Sequence, residues 1–484
     1  MSLSTALSIA QSALKNTAKQ TSVVSRNVSD ASNPDYARRI ALVTSTAPGA
    51  RSVDIQRVTN DLLFRQNLGA LSVYSGQSAL YSGTDQLDVS VNGVDNAFSP
   101  STAIANLQQQ LQLYATSPSN QNLGSTVIDA AKQVVRSLNE GSRAIQDFRA
   151  QTDSQIDTAV KDLNSLLSQF QDANQAVISG TRSGTDVSDA LDQRDALLKK
   201  IANYVPVSTF TRGDNDMVIT TGDGTTLFET IPRTVTFAPS TGYAAGAAGN
   251  SVYIDNVPVS AGTGGNTTAS GTIAGLLQLR DDVASTMQSQ LDETARGLIT
   301  AFAETAPAMP NATGLFTWSG APAVPAAGTL VDGLAATISV NAAMDPSTGG
   351  NPALLRDGGA NGAAYVANTS GGASYSSLLV AYGDRLDQPM TFDAAAGISA
   401  TSSVADYAAN SIGWLQSLRQ GASTAADAKE ALAQRSAEAL SNATGVNIDQ
   451  EMSLMLDLEH TYQASARMMK TVDDMMTALL SAVG

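Results

Sequence analysis

Apolar positions at the start of the chain recur in alternating steps of four and three. Leu3, Leu7, Ala10, Leu14, Thr17, Thr21, Val24 and Val28 trace one narrow line along a helix, a coiled-coil-like seam. Pro34 forbids helix immediately before it and suits the second position of a turn, where Asn33 can bond its own backbone. The spacing therefore predicts a helix that stops near residues 29–32. The far end repeats the pattern: Met455, Leu458, Tyr462, Ser465, Met469, Val472, Met476 and Leu479 take the same alternating steps. Gly445 ahead of Asn447 and Asp449 supplies a break and an N-cap.

Between these ends the pattern predicts further helices at 101–115, 123–178, 187–204, 271–304 and 402–442. The second of them runs without proline through Val127, Val134, Leu138, Ile145, Ile156, Leu163 and Phe170, bending at most near Gly141. After Pro206 the texture turns to strand-length runs such as "MVIT" and "RTVTFA", punctuated by Gly and Asp-Gly turns. Residues 306–400, rich in Gly, Ala and Pro, read as short strands and loops.

The fold class predicted is α+β: an elongated, multi-domain chain with paired, coiled-coil-like terminal helices, a long-helix bundle core and β-rich outer insertions. Its domains are a terminal helical part (1–45 and 445–484), a long-helix part (46–205 with 265–305 and 400–444) and a β-rich outer part (206–264 and 306–399). Charge favours pairing of the ends. Residues 1–70 carry eight Lys/Arg against four Asp/Glu, net +4, and residues 445–484 carry two against six, net −4. The alternative is a pair of independent surface helices.

Composition narrows the chemistry. The 484 residues have a net charge of −16, which argues against nucleic acid as a main partner. With no cysteine, thiolate metal sites and cysteine nucleophiles are excluded. No apolar run reaches the ~18 residues of a membrane span, so no membrane insertion is predicted. The start lacks a basic region ahead of a continuous apolar core, so a cleaved signal peptide is not predicted either.

Candidate chemistry is sparse. The single histidine, His460, sits on the C-terminal helix, where a thin helix pair offers no walled pocket. "SALK" at 12–15 lacks the motifs that accompany an S-x-x-K acyl-enzyme. "RGDNDM" at 212–217 fails the calcium-loop spacing and reads as a hairpin turn. "GTGGNTTASG" at 262–271 has no P-loop lysine. "LDQRDALL" at 191–198 is the densest charged cluster on a helix; by pattern alone it is a solvated face, although Asp192, Arg194 and Asp195 could build an ion-pair network. No catalytic residue, cofactor or metal site is predicted.

Three segments together resemble a known family. "NVSDASNPDYARR" is similar to the N-terminal signature of flagellar rod, hook and hook-associated axial proteins, with Asp35 in place of the usual Gly, Ala37 for Ser or Thr, and Arg39 for Gln. "GVNIDQEMSLMLDLEHTYQASARMMKTVDDMMTALL" resembles their C-terminal signature. "DALDQRDALLKKIANYVPV" and "SGTIAGLLQLRDDV" resemble segments of the hook–filament junction proteins, the hook-associated protein 1 family. The resemblance implies a non-enzymatic structural subunit of the bacterial flagellum, extracellular at the hook–filament junction after type III export. Its implied partners are the hook protein, the second junction protein, copies of itself in a ring-like junction, and an export chaperone at the C-terminal helix. It also implies terminal helices that are disordered in the free monomer. The assembly interface is then Leu3, Leu7, Leu14, Val24 and Val28 on the first helix; Asn33, Pro34, Tyr36 and Arg38 at the turn; and Met455, Leu458, Tyr462, Met469, Val472, Met476 and Leu479 on the last. The alternatives are a hook or rod protein, or an exported axial protein carrying a binding or hydrolase module in its middle.

Overall fold

The computed structural model describes residues 3–46 and 50–483, without the side chains of residues 3, 4, 6, 45, 46, 50–52 and 483. The helices are α1 (Leu3–Ser29), α2 (Asp61–Asn92), α3 (Pro100–Thr116), α4 (Gln121–Ser183), α5 (Ser188–Tyr204), α6 (Thr272–Gln278), α7 (Ala284–Ala301), α8 (Leu334–Thr337), α9 (Leu354–Asp357), α10 (Ser377–Asp387), α11 (Val404–Thr444) and α12 (Ile448–Val483). The strands are β1 (Arg39–Thr46), β2 (Ala50–Arg57), β3 (Val207–Thr211), β4 (Met217–Thr221), β5 (Thr226–Phe228), β6 (Val235–Thr236), β7 (Tyr253–Ile254), β8 (Val257–Pro258), β9 (Phe316–Thr317), β10 (Ser339–Val340), β11 (Met390–Thr391) and β12 (Thr401–Ser402). Every sheet among them is antiparallel and has two or three strands. The fold class is α+β, with long helices dominant.

The chain forms two compact units. One holds residues 1–74, 162–234 and 428–484; the other holds 75–161 and 235–427. Three of the four boundaries fall inside α2, α4 and α11, and the fourth lies just before β6.

In the first unit α1 packs along α12 and against the β1–β2 hairpin. The hairpin is absent from the sequence reading. Its alternation is masked by basic and small residues, and apolar side chains are exposed on both faces, Ile40 and Leu42 on one and Val43 on the other. Helix α2 also went unread, because small side chains surround it and no single face is apolar. The sheet β3–β4–β5 buries Ile219, Leu227 and Phe228, with Phe228 edge-on to Phe170 of α4, ring centroids 5.0 Å apart.

In the second unit α7 is buried almost all round, including Gln288, Gln290, Asp292, Glu293, Thr294 and Arg296. Such a helix is tolerable only if its polar groups find partners. They find loops. Asp292 accepts from the backbone N–H of Gly333 (2.9 Å) and Ala335 (2.7 Å), and Glu293 accepts from that of Asp393 (2.7 Å). Gln290 donates to the Ala396 carbonyl (3.0 Å). The helix expected over 271–304 is interrupted by a π turn at 279–283. There Arg280, wholly buried, pairs with Asp153 (2.6 Å) and Asp281 (2.6 Å). Close crossing of α6 on α2 depends on glycine: a Cβ on Gly275 would meet the Gly76 carbonyl oxygen at 2.5 Å. Residues 306–399, read as β-rich, hold only two-residue strands, together with α8, α9 and α10.

Candidate functional site

The predicted turn forms as the sequence reading has it. Asn33 Oδ1 accepts from the Asp35 N–H (3.0 Å), the Asn33 carbonyl accepts from the Tyr36 N–H (3.1 Å), and α1 ends at Ser29. Asn33 and Pro34 are exposed, and Lys199 of α5 holds Asp35 at 2.9 Å. At the other end Asn447 caps α12, its Oδ1 accepting from the Gln450 N–H at 3.1 Å.

The segments singled out in the sequence converge at the foot of the α1–α12 pair. Glu451, 1% exposed, accepts from Arg38 Nε (2.6 Å) and Asn27 Nδ2 (3.0 Å). Asn27 is equally buried. Its Oδ1 accepts from the Tyr36 hydroxyl (2.8 Å) and the Arg39 N–H (3.1 Å), while its Nδ2 also donates to the Arg39 carbonyl (2.9 Å). Arg38 works through its backbone as well: its N–H donates to the Thr444 carbonyl (2.8 Å), and its carbonyl accepts from Val58 (2.9 Å). One arginine thus ties the end of α11, the end of β2 and the start of α12.

Arg39 and Arg57 are opposite each other in the β1–β2 register. Like charges in that position repel. Asp192 of α5 resolves the conflict, accepting from Arg57 Nε at 2.6 Å and Arg39 Nη2 at 3.2 Å. Asp195 takes the other arm of Arg57 at 2.6 Å, and Asp189 is bonded by both Arg26 and Arg39. Arg39 Nε and Nη1 lack hydrogen-bond partners; its guanidinium lies 4.9 Å from the centre of the Tyr36 ring, a cation–π contact.

These contacts move ionisations. Burial pushes the Tyr36 hydroxyl up to about 12, against the pull of Arg39 and Arg26. Burial also raises the Asp192 carboxyl, and Arg57 and Arg39 only partly offset it. At Asp189 burial loses: hydrogen bonds from Arg26 and Arg39 hold its carboxyl below the usual range. The charged cluster on α5 is therefore no solvated face. Arg194 is buried too, donating to Asn174 Oδ1 (3.0 Å) and the Asn215 carbonyl (2.6 Å).

Along the pair, Ala10, Thr17 and Val24 are buried on α1, and Leu7, Leu14 and Val28 are half-buried. The side chain of Leu3 lies outside the described residues. On α12 the buried positions are Glu451, Leu458, Ser465 and Val472, spaced seven apart. Met455 and Met469 are half-buried, whereas Tyr462, Met476 and Leu479 are exposed. Leu454, Met468 and Met475 are exposed on the opposite flank of the buried line. The apolar stripe of α12 is thus wider than α1 covers.

Sequence reasoning missed Asn27, Arg57, Asp189 and Glu451. A signal existed for two of them. Asn27 lies three residues after the seam residue Val24, on the same side of the helix, and Glu451 occupies the seam position seven before Leu458, where an apolar side chain is due. Among the described residues no group of three or more His, Cys, Asp or Glu could hold a metal ion, and no helix is long and apolar enough to cross a membrane.

Comparison with known proteins places this arrangement. The family profile described as "Flagellar hook-associated protein FlgK helical domain" matches residues 84–307, and "Flagellar basal body rod FlgEFG protein C-terminal" matches 439–482. Flagellar hook-associated protein 1 of Bacillus subtilis is 22% identical over 99% of this chain and 97% of its own length. Its counterpart in Salmonella typhimurium is 21% identical over 62% of this chain and 56% of its own length. The flagellar hook junction protein FlgK from Burkholderia pseudomallei, a solved structure, shows 20% identity, covering 53% of this chain and 47% of that one, with a TM-score of 0.43. The helix pair and its signature turns define the class of flagellar axial proteins. Within it, the helical-domain profile and the curated relatives match this chain to the FlgK family of hook-associated proteins.

Proposed function

We propose that this chain is a structural subunit joining flagellar hook to filament, acting outside the cell and carrying no catalysis of its own. One observation carries the reading: α1 and α12 pair within the chain, yet α12 keeps apolar flanks on both sides of the contact. Each buried Leu, Val or Met contributes roughly 1.5–3 kcal/mol. The polar seam residues Thr17, Thr21 and Ser465 contribute little. The two threonines spend their hydroxyls on carbonyls four residues back, at Ala13 and Thr17, both 2.9 Å. The pair gains most from neighbours that cover the flanks.

Those neighbours are copies of this chain in a ring-like junction, the hook protein on one side and the second junction protein on the other. Before export, a chaperone covers the same exposed face of α12. In this reading residues 1–45 with 445–484 form the axial part, 46–205 with 265–305 and 400–444 the long-helix part, and 206–264 with 306–399 the outward part. The test removes residues 447–484 and offers the product to isolated hooks. A folded core that neither forms junctions nor binds the chaperone supports the reading, and junctions formed by the truncated chain refute it.

A further inference from the structure

We infer that Glu451 is a latch that orders the foot of the terminal helix pair in a single chain, leaving only the far end to wait for neighbours. The inference goes beyond the junction role and does not depend on it. It concerns which part of the pair is folded before any assembly.

The two ends of the pair are built differently. At the foot, Val23, Val24 and Asn27 of α1 and Glu451 and Leu458 of α12 are all buried. The Glu451 carboxylate has two donors from two separate segments, Arg38 and Asn27. Arg38 is itself bonded through its backbone to Thr444 and Val58. Opening the foot exposes more than a helix contact: it strips a buried carboxylate of both partners and takes the Arg38 guanidinium from its ion pair. Breaking a buried charged pair on one side is strongly unfavourable. Among the described residues, α12 has no buried charged side chain beyond Val472. Beyond Val472, the side chains of Met475, Met476, Leu479 and Leu480 are 39–73% exposed, and Ile9 near the start of α1 is 42% exposed. A helical segment of that length is marginal in water without tertiary support. Local opening energies follow such differences in burial and bonding. The pair therefore opens from its tip and stays closed at its latch.

The test is hydrogen–deuterium exchange read by mass spectrometry on the full-length monomer, at concentrations too low for assembly. The amides of 449–459 should exchange at least ~100-fold more slowly than those of 474–482. Glu451→Ala should bring the foot to the rate of the tip. Glu451→Gln, which keeps an acceptor oxygen, should retain part of the protection, and Met475→Ala should leave the foot unchanged. Amides of α7, in the other unit, report whether each variant is folded. If α7 loses protection in Glu451→Ala, Glu451→Gln decides: faster exchange at the foot upholds the latch, an unchanged foot overturns it. Equal rates at foot and tip in the parent chain, or an unchanged foot in a folded Glu451→Ala, also overturn it. A failure of the junction role would appear separately, on isolated hooks, with the exchange pattern intact.

Discussion

Asn27 and Glu451 stand 424 positions apart and share a buried hydrogen bond of 3.0 Å. Through it the two ends of the chain are fastened beside the turn that leads out of α1. Asn27 can do this because its amide offers donor and acceptor together: the oxygen serves Tyr36 and Arg39, the nitrogen serves Arg39 and Glu451. A seam Leu at either position would pack but would leave the polar turn without partners.

The hairpin base depends on Asp192. Replacing it with Ala leaves Arg39 and Arg57 facing each other with their shared acceptor gone. We expect a loss of about 3–5 kcal/mol in the unit that contains them, measured by chemical denaturation. Asp195→Ala, which removes one bond to Arg57 and leaves Asp192 in place, should cost less.

The exposed flank of α12 should matter for assembly and not for folding. Met475→Ser and Leu479→Ser alter side chains that are 53% and 56% exposed. The monomer's unfolding free energy, measured by chemical denaturation, should change by no more than about 0.5 kcal/mol, as is usual for a surface substitution. Junction formation on isolated hooks, counted by electron microscopy, should fall sharply in the double variant.

Helix crossing supplies a third expectation. Gly275→Ala places a Cβ at 2.5 Å from the Gly76 carbonyl oxygen, a backbone atom that cannot step aside. Destabilisation of about 1–3 kcal/mol is expected. Gly413→Ala, in α11 with nothing within 4 Å, should stabilise by about 0.5–1 kcal/mol. Thermal unfolding of the two variants separates close approach from mere helix propensity.

Asp292 titrates late. Burial pushes its carboxyl up to about 6, against three hydrogen bonds that favour the anion. Because the folded-state value lies above the ordinary one, its contribution to stability is complete below pH ~4 and is lost as pH rises through about 6. The shift corresponds to roughly 3 kcal/mol. A carboxyl carbon titration by NMR should show its midpoint near 6, and Asp292→Asn should abolish that component of the pH dependence.

The helix pair was legible because burial along it follows a simple period. Leu458, Ser465 and Val472 are buried at positions that spacing alone selects, and Asn33, Pro34 and Gly445 mark the breaks beside it. The long helix α4 was legible for the same reason: 63 residues without proline, with one apolar line. Helix α2 and the β1–β2 hairpin were not, since their sides are covered by small or basic residues whose partners come from distant segments.

By itself the sequence determined the local elements whose apolar faces repeat: both terminal helices, the turn at Asn33–Tyr36 and the resemblance its residues carry. Only the tertiary structure decided that the charged run on α5 is spent on ion pairs with Arg26, Arg39 and Arg57 and that Glu451 replaces an apolar seam residue. A charge has the same local propensity on a wet face as in a buried ion pair. What separates the two is a guanidinium brought from more than a hundred residues away, as Arg57 is brought to Asp192.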